Sequence, residues 1–437
     1  MRFLITVLLG ALQLHGAQVL FEGARVIVDT RKAPMEDAAF IVDNGRITKM
    51  GKRGEVQVKA GVTRVDLSGK TVMPALIDPH VHLGYQKDAT YAAENFTHEN
   101  VTDQLQRYAY AGVAAVMSLG TDITGVELAV RAEKNTATQL FTAGRGFSPP
   151  NAGPATPAMR GSSIGVMTEE EARQGVRDQL AKHVDIIKIW VDDRNGTVAK
   201  LSPALYRAII DEAHKRGARV IAHVYYFADA KELVRAGIDG FAHLVRDREI
   251  DDETVATIAK RRVFIMPNMG LAETRTTAQA PAWLDDPLYK AVTPAAVIER
   301  VRAGYRDRTP AAVETAQKTY SIMERNLAKL NAAGALIGFG ADSGAVPDYF
   351  HAFTTHRELE LMVHAGMTPA QALTSVTVNA AAFLKMAGHG TLDAGNSADF
   401  LVLEANPLEN VSNTRKINRV YLHGQELGRA ALAQGWK

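Results

Sequence analysis

The chain has 437 residues, 46% hydrophobic and 22% charged, with a formal net charge of +2 and no cysteine. That length suits one large domain with a smaller companion, and the apolar content excludes an intrinsically disordered chain. Near-neutral charge without a polybasic run argues against nucleic acid or an anionic membrane as partner, and the lack of cysteine excludes disulfides, thiolate metal sites and cysteine nucleophiles.

At the N-terminus, Arg2 precedes an apolar run over 3–12, and small residues follow at Gly16 and Ala17. This pattern predicts a signal peptide over 1–17, and with it a secreted or periplasmic protein rather than a cytoplasmic one. No other stretch reaches the length of a membrane span, so no stable membrane anchor is expected. Residues 18–73 read as short strands at 19–22, 25–29, 39–43, 46–50 and 63–66, with Asn44-Gly45 as a hairpin turn. Over 74–387, strand-like runs alternate with helical patterns. The runs are 76–82, 113–119, 139–143, 185–191, 219–224, 240–245, 263–267 and 336–341. Helices are expected at 169–182, behind a Thr168 cap with Glu171 three residues on, at 203–216 behind Ser202, and along 294–333. The Gly/Pro-rich loop 144–165 and the polar insertion 273–287 are long enough to cover a pocket mouth. Residues 388–437 return to short strands, at 399–403 and 419–422. The order predicts an α/β fold: a (β/α)8 TIM barrel with a small β-sandwich built from both termini.

Catalytic groups of such barrels sit at the C-terminal ends of the strands. His80 and His82 end the first run, in Leu76-Ile-Asp-Pro-His-Val-His82, and alternation in a strand turns residues i and i+2 to one face. Lys188 lies in the fourth run, flanked by isoleucines. His223 ends the fifth, His243 the sixth, and Asp342 follows the eighth in Gly-Ala-Asp-Ser-Gly. Each alone has an ordinary reading: a core histidine, a lysine reaching solvent, a turn aspartate. Together they place metal-capable atoms at five strand ends. A bare ammonium cannot ligate, but a buried, neutral lysine can react with carbon dioxide to give a carbamate. Four histidines, that carbamate and Asp342 could hold two divalent metals, for which zinc is the first candidate and manganese, cobalt or nickel are admitted.

These residues resemble the amidohydrolase superfamily over almost the whole chain, and most closely its binuclear, prolidase-like group related to imidazolonepropionases. The resemblance rests on Leu-Ile-Asp-Pro-His-Val-His, Lys188, His223, His243, Gly-Ala-Asp-Ser-Gly and the tail from Gly390 through Asn406-Pro407. It implies that His80, His82 and Asp342 bind one metal and His223 and His243 the other. It further implies that Lys188, modified to its carbamate, bridges the two, and that Asp342 is the catalytic acid–base. It implies hydrolysis of an amide or peptide C–N bond of a small substrate, such as an Xaa-Pro dipeptide or an N-acyl amino acid. One departure is Ala75, where the family usually has glycine.

Candidate substrate-binding residues follow the same strands. Asp193 and Arg194, next to Asp192, follow Lys188, and Tyr225 and Tyr226 follow His223. A tyrosine hydroxyl or Arg194 could hold a substrate carboxylate. Arg145 and Arg160 are weaker candidates, and His351 is expected at the surface. A two-metal site could equally attack a lactone, carbamate or phosphotriester, and a non-catalytic scaffold on the same fold is a further alternative. A homo-oligomer stays open.

Overall fold

The computed structural model describes residues 18–123, 125–133 and 138–436. The predicted leader lies outside these residues.

Both ends of the chain meet in one mixed sheet of eight strands. Val19–Val26 is one continuous strand where two were expected. It pairs antiparallel with Met35–Asp43, which turns at Asn44-Gly45 into Arg46–Lys52. Its other edge runs parallel to Thr63–Asp66 and then to Thr71–Pro74. The C-terminal strand Phe400–Leu403 pairs with Thr71–Pro74, and Ile417–Leu422 follows outside it. Phe21, Phe40, Phe400 and Tyr421 stack on one face of this sheet with Val26, Val42, Val72 and Val402. Alternating apolar residues from both ends thus make one core, which ties Phe21 to Tyr421.

Between the ends, the strands are parallel. Leu76–Val81, Val113–Ser118 and Gln139–Thr142 form one sheet. Ile187–Val191, Val220–Val224, Gly240–Ala242 and Phe264–Met266 are consecutive neighbours in a second. Asp185 N donates to Thr142 O (2.8 Å), which joins the two sheets on one side. The expected eighth strand is not a regular strand but an extended segment. It makes single parallel bridges, Ile337 to Ile265 and Ser343 to Val81, and Asp342 N donates to His80 O (2.9 Å).

These strands are buried on both faces, as parallel strands covered by helices are. In Ile187–Val191, the residues Ile187, Ile189 and Val191 join the large cluster shared with the helices, while Lys188 and Trp190 face the other way. In Val220–Val224, Ile221 and His223 alternate in the same sense against Val220, Ala222 and Val224. Register then does the rest: Lys188 lies beside Ile221, and Trp190 beside His223.

Helix starts follow the sequence. Glu169–Ala181 carries a full capping box from Thr168 and Glu171, and Pro203–Lys215 is capped by Ser202. The long helical stretch divides into Ala295–Arg306 and Pro310–Ala332. Pro310 has no N–H to continue a helix, and Thr309 caps the new start instead. No described helix is long and apolar enough to cross a membrane.

Candidate active site

His80, His82 and Asp342 converge. The Nε2 atoms of His80 and His82 lie 3.2 and 3.0 Å from the same oxygen, Asp342 Oδ1. All three residues are buried, and their ligand-capable atoms lie within 4.8 Å of one another. The Nδ1 side of each ring is already engaged. His80 Nδ1 donates to Asn268 Oδ1 (3.2 Å), and His82 Nδ1 lies 2.7 Å from Thr121 Oγ1. The Asn268 oxygen fixes the His80 tautomer with the proton on Nδ1, which leaves Nε2 a lone pair able to ligate, and Thr121 orients the His82 ring. His80 Nε2 has no hydrogen-bond partner although it is fully buried. An orphaned imidazole nitrogen facing a carboxylate fits a cation better than it fits a packed core.

The remaining predicted residues close around this trio. The ring of His243 lies 5.3 Å from that of His80, and that of His223 lies 4.5 Å from His243, centre to centre. Lys188 is 1% exposed and has no carboxylate within ion-pair distance among the described residues. Burial lowers its ammonium to about 7, against a weaker upward pull from Asp342. Burial also keeps His80, His223 and His243 neutral. Burial pushes the Asp342 carboxyl up, but His80, His82 and Lys188 outweigh it and hold the group below the usual carboxylate range. Neutral imidazoles, a deprotonatable lysine and an ionised aspartate are the protonation states that metal ligation requires.

Glycine makes the fit possible at two points. A Cβ on Gly120 (φ +90°) would stand 2.5 Å from Lys188 Cγ, and a Cβ on Gly340 would stand 2.7 Å from His80 Cβ. The strand-end residues themselves take rare backbone conformations. His243, Asn268 and Asp342 have φ of 98°, 51° and 58°. Non-glycine residues hold such angles only where their surroundings enforce them.

Those surroundings are a second set of polar groups that sequence reasoning missed. Asp78 accepts from the backbone N–H of His80 and of Ala341 (both 3.2 Å) and from Thr355 Oγ1 (2.8 Å). Glu358, one helical turn further along the same helix Phe353–His364, accepts from Met269 N and Gly270 N, both at 2.8 Å. This helix therefore fixes both the His80 strand and the turn that presents Asn268. Burial raises Asp78 to about 7 and Glu358 to about 8. The available signal was position: Thr121 and Asn268 each come just after a strand, as the ligands do.

The predicted substrate-binding residues are placed unevenly. Asp192 Oδ2 meets His223 Nε2 at 3.1 Å. Tyr226 Oη donates to Asp193 Oδ1 (2.8 Å), and the Tyr225 ring packs against it. Arg194 is spent on the loop 144–165, donating to Gly153 O (2.5 Å) and Pro154 O (2.8 Å). Arg145 pins the same loop through the carbonyls of Gly161, Ser162 and Ser163. Arg160 is exposed on it. His351 is not at the surface as expected. It is 0% exposed and packs beside Tyr108 and Phe350, because the chain after Asp342 turns inward at Gly344. Arg246, three residues past His243, was not anticipated. Its guanidinium lies 4.9 Å from the Tyr225 ring, its Nε is buried without a partner, and it feels the charges of Asp192 and Asp342.

Comparison with known proteins agrees with this arrangement. The amidohydrolase family profile matches residues 71–427. An imidazolonepropionase of Deinococcus radiodurans is 26% identical over 416 residues, covering 90% of this chain and 92% of its own. Among solved structures, a candidate prolidase from Bifidobacterium longum superposes with a TM-score of 0.75 at 24% identity. That match covers 96% of this chain and 99% of the other. A Xaa-Pro dipeptidase with methionine bound in its active site gives 0.74 at 20% identity, covering 94% and 100%. The chain belongs to the amidohydrolase family, alongside its prolidase-like and imidazolonepropionase-like members, and is an enzyme of the hydrolase class.

Proposed function

We propose that this enzyme hydrolyses the amide bond of a small substrate carrying a free carboxylate, such as an Xaa-Pro dipeptide or an N-acyl amino acid. The observation that carries this reading is the convergence of His80, His82 and Asp342 above the buried Lys188, with Arg246 nearby. The two bridged parallel sheets are read as one eight-stranded barrel over 74–387, flanked by a β-sandwich unit from 18–73 and 388–437. On that reading His80, His82 and Asp342 would hold one divalent cation, His223 and His243 would hold a second, and the modified Lys188 would supply the carbamate oxygens of the set. Zinc suits this donor set, with manganese, cobalt or nickel as substitutes. Such ions supply a water acidic enough to attack at neutral pH and polarise the scissile carbonyl.

The chain's own residues do the rest. The neutral Lys188 amine attacks the carbon of carbon dioxide and loses a proton to solvent, leaving a carbamate with two ligand oxygens. Asp342 takes the proton of the attacking water and delivers it to the leaving nitrogen. Its backbone N–H donates to His80 O (2.9 Å), which ties it to the strand that carries His80. Arg246 is the group that best suits the substrate carboxylate. It has an unused buried donor, no ion-pair partner among the described residues, and a place beside the His223–His243 pair. Tyr225 backs its guanidinium, and Tyr226 with Asp193 bounds the pocket. The apolar N-terminal run makes this a secreted or periplasmic enzyme, with a mature chain starting near Gln18.

The test is a screen of dipeptides and N-acyl amino acids against metal-replete protein, with metal analysis and intact mass on the same sample. Turnover confined to substrates with a free carboxylate, with two metals per chain, supports the reading. Turnover of lactones or phosphotriesters alone would overturn it.

A further inference from the structure

A second cavity lies at the opposite ends of the same strands. It has a volume of about 450 Å³ and is lined by Arg219, Asp239, Arg261, Arg262, Phe264 and Phe383, among others. Arg219 immediately precedes Val220–Val224, and Asp239 immediately precedes Gly240–Ala242. His223 and His243 lie at the far ends of these strands, roughly 10–13 Å away at the usual rise per residue. The cavity is therefore separate from the hydrolytic site, with the apolar layer of Ile221, Ala242, Phe264 and Met266 between them.

Its charge is unbalanced. Three arginines and one aspartate line it, and that carboxylate is already committed. Asp239 Oδ2 accepts from His214 Nε2 (2.8 Å) and from Val220 N (2.7 Å). None of the three arginines has an ion-pair partner among the described residues. Arg219 donates Nη2 to Phe383 O, and Arg261 donates Nη1 to Val234 O (2.5 Å). These are bonds to neutral carbonyls, which fix the side chains without neutralising them. The Arg219 guanidinium lies 4.7 Å from the Phe383 ring, which itself stacks on Phe264 at 4.0 Å. That leaves Arg219 Nε buried with no partner at all. The Arg219 cation is therefore held in place by a carbonyl and a ring, with no carboxylate of the described residues paired to it. Arg262 is at the rim, in the left-handed conformation (φ 55°) that ends the helix Asp252–Arg261.

We infer that this cavity binds a small organic anion, whose carboxylate or phosphate is gripped by Arg219, Arg261 and Arg262. The volume falls in the range of small-molecule sites and exceeds what a lone inorganic ion needs. A forked guanidinium matches both oxyanions, so the two are separated by experiment.

The test uses the full, metal-loaded chain and calorimetric titration at physiological salt with inorganic phosphate and, separately, benzoate. Either anion could also reach Arg246, so the assignment rests on variants. Arg219→Met is expected to weaken binding about tenfold or more, and Arg262→Asn about threefold, with amide hydrolysis unchanged in both. Asparagine suits the left-handed position, so Arg262→Asn keeps the question open to decision even where Arg219→Met fails to fold. Stronger phosphate binding assigns a phosphate ester, and stronger benzoate binding a carboxylate. Failure of both probes to saturate, or wild-type affinity in Arg262→Asn and in folded Arg219→Met, overturns the inference.

Discussion

Replacing Gly120 by alanine puts one methyl group against the stem of Lys188. The new Cβ would stand 2.5 Å from Lys188 Cγ and 2.8 Å from its Cβ. Carbon atoms in contact sit about 3.5–4.0 Å apart, so the lysine stem must shift by about 1 Å. Two costs combine. The left-handed conformation at φ +90° costs an alanine about 1–2 kcal/mol, and overpacking a filled site costs about 1–3 kcal/mol. Gly217→Ala separates them, since Gly217 also has a positive φ (+69°) but nothing within 4 Å of its would-be Cβ. That control should lose only about 1–2 kcal/mol and keep full turnover. Gly120→Ala should lose about 2–5 kcal/mol in total, and a 1 Å misplacement of a ligand-bearing arm should cost about a hundredfold in kcat. Denaturant unfolding, metal content and turnover of both variants decide the matter. Wild-type kcat and metal content in Gly120→Ala would refute the placement of Lys188 in the site.

Asp342→Asn should keep the fold and lose about 10²–10⁴ in kcat, because an amide cannot accept the proton; near-normal turnover would count against the acid–base role. Asn268→Ala should weaken metal binding by about 10–100-fold, measured by chelator competition, since His80 loses the group that orients its ring. Arg246→Met should raise KM for carboxylate-bearing substrates far more than it changes kcat, and equal KM would remove Arg246 from the substrate site. In metal-free protein purged of carbon dioxide, Lys188 links stability to pH. Its folded pKa is lowered to about 7 from an ordinary 10.5. Between those values the unfolded chain holds the extra proton, so stability should rise with pH across that window by up to about 1.4 kcal/mol per unit, and be flat from this group on either side. Lys188→Met should abolish that rise; an identical slope would show that the lysine titrates normally.

Much of the site was legible because it depends on local order. His80, His82, His223, His243 and Asp342 each sit at or just past the C-terminal end of a strand or extended segment, and period-2 alternation turns Lys188, second in its strand, to the same side as His223 on the neighbouring strand. The partners of these residues were not legible, because they come from across the fold. Nothing near His80 in sequence names Asn268, and nothing near residues 269 and 270 names Glu358 on a helix almost ninety positions later. Residues 336–341 read as a strand, but the segment pairs through isolated bridges at Ile337 and Ser343, and Asp342 N bonds to His80 O. The break at Thr309-Pro310 was written in the sequence, in a cap followed by a residue without an N–H, and a helix prediction over 294–333 overlooked it. Arg194 shows the opposite lesson: a cation in the right loop was already taken by two carbonyls of its neighbour.

The left-handed backbone of His243, Asn268 and Asp342 bears on how this protein can be altered. Each such residue costs on the order of 1–3 kcal/mol that a glycine would not. Selection for thermal tolerance alone would therefore favour glycine at these three positions. Variants chosen that way would be sturdier proteins that no longer turn over substrate. A stabilisation campaign on this enzyme has to screen for turnover at every round, or the molecule will improve by discarding the residues proposed here to carry its chemistry.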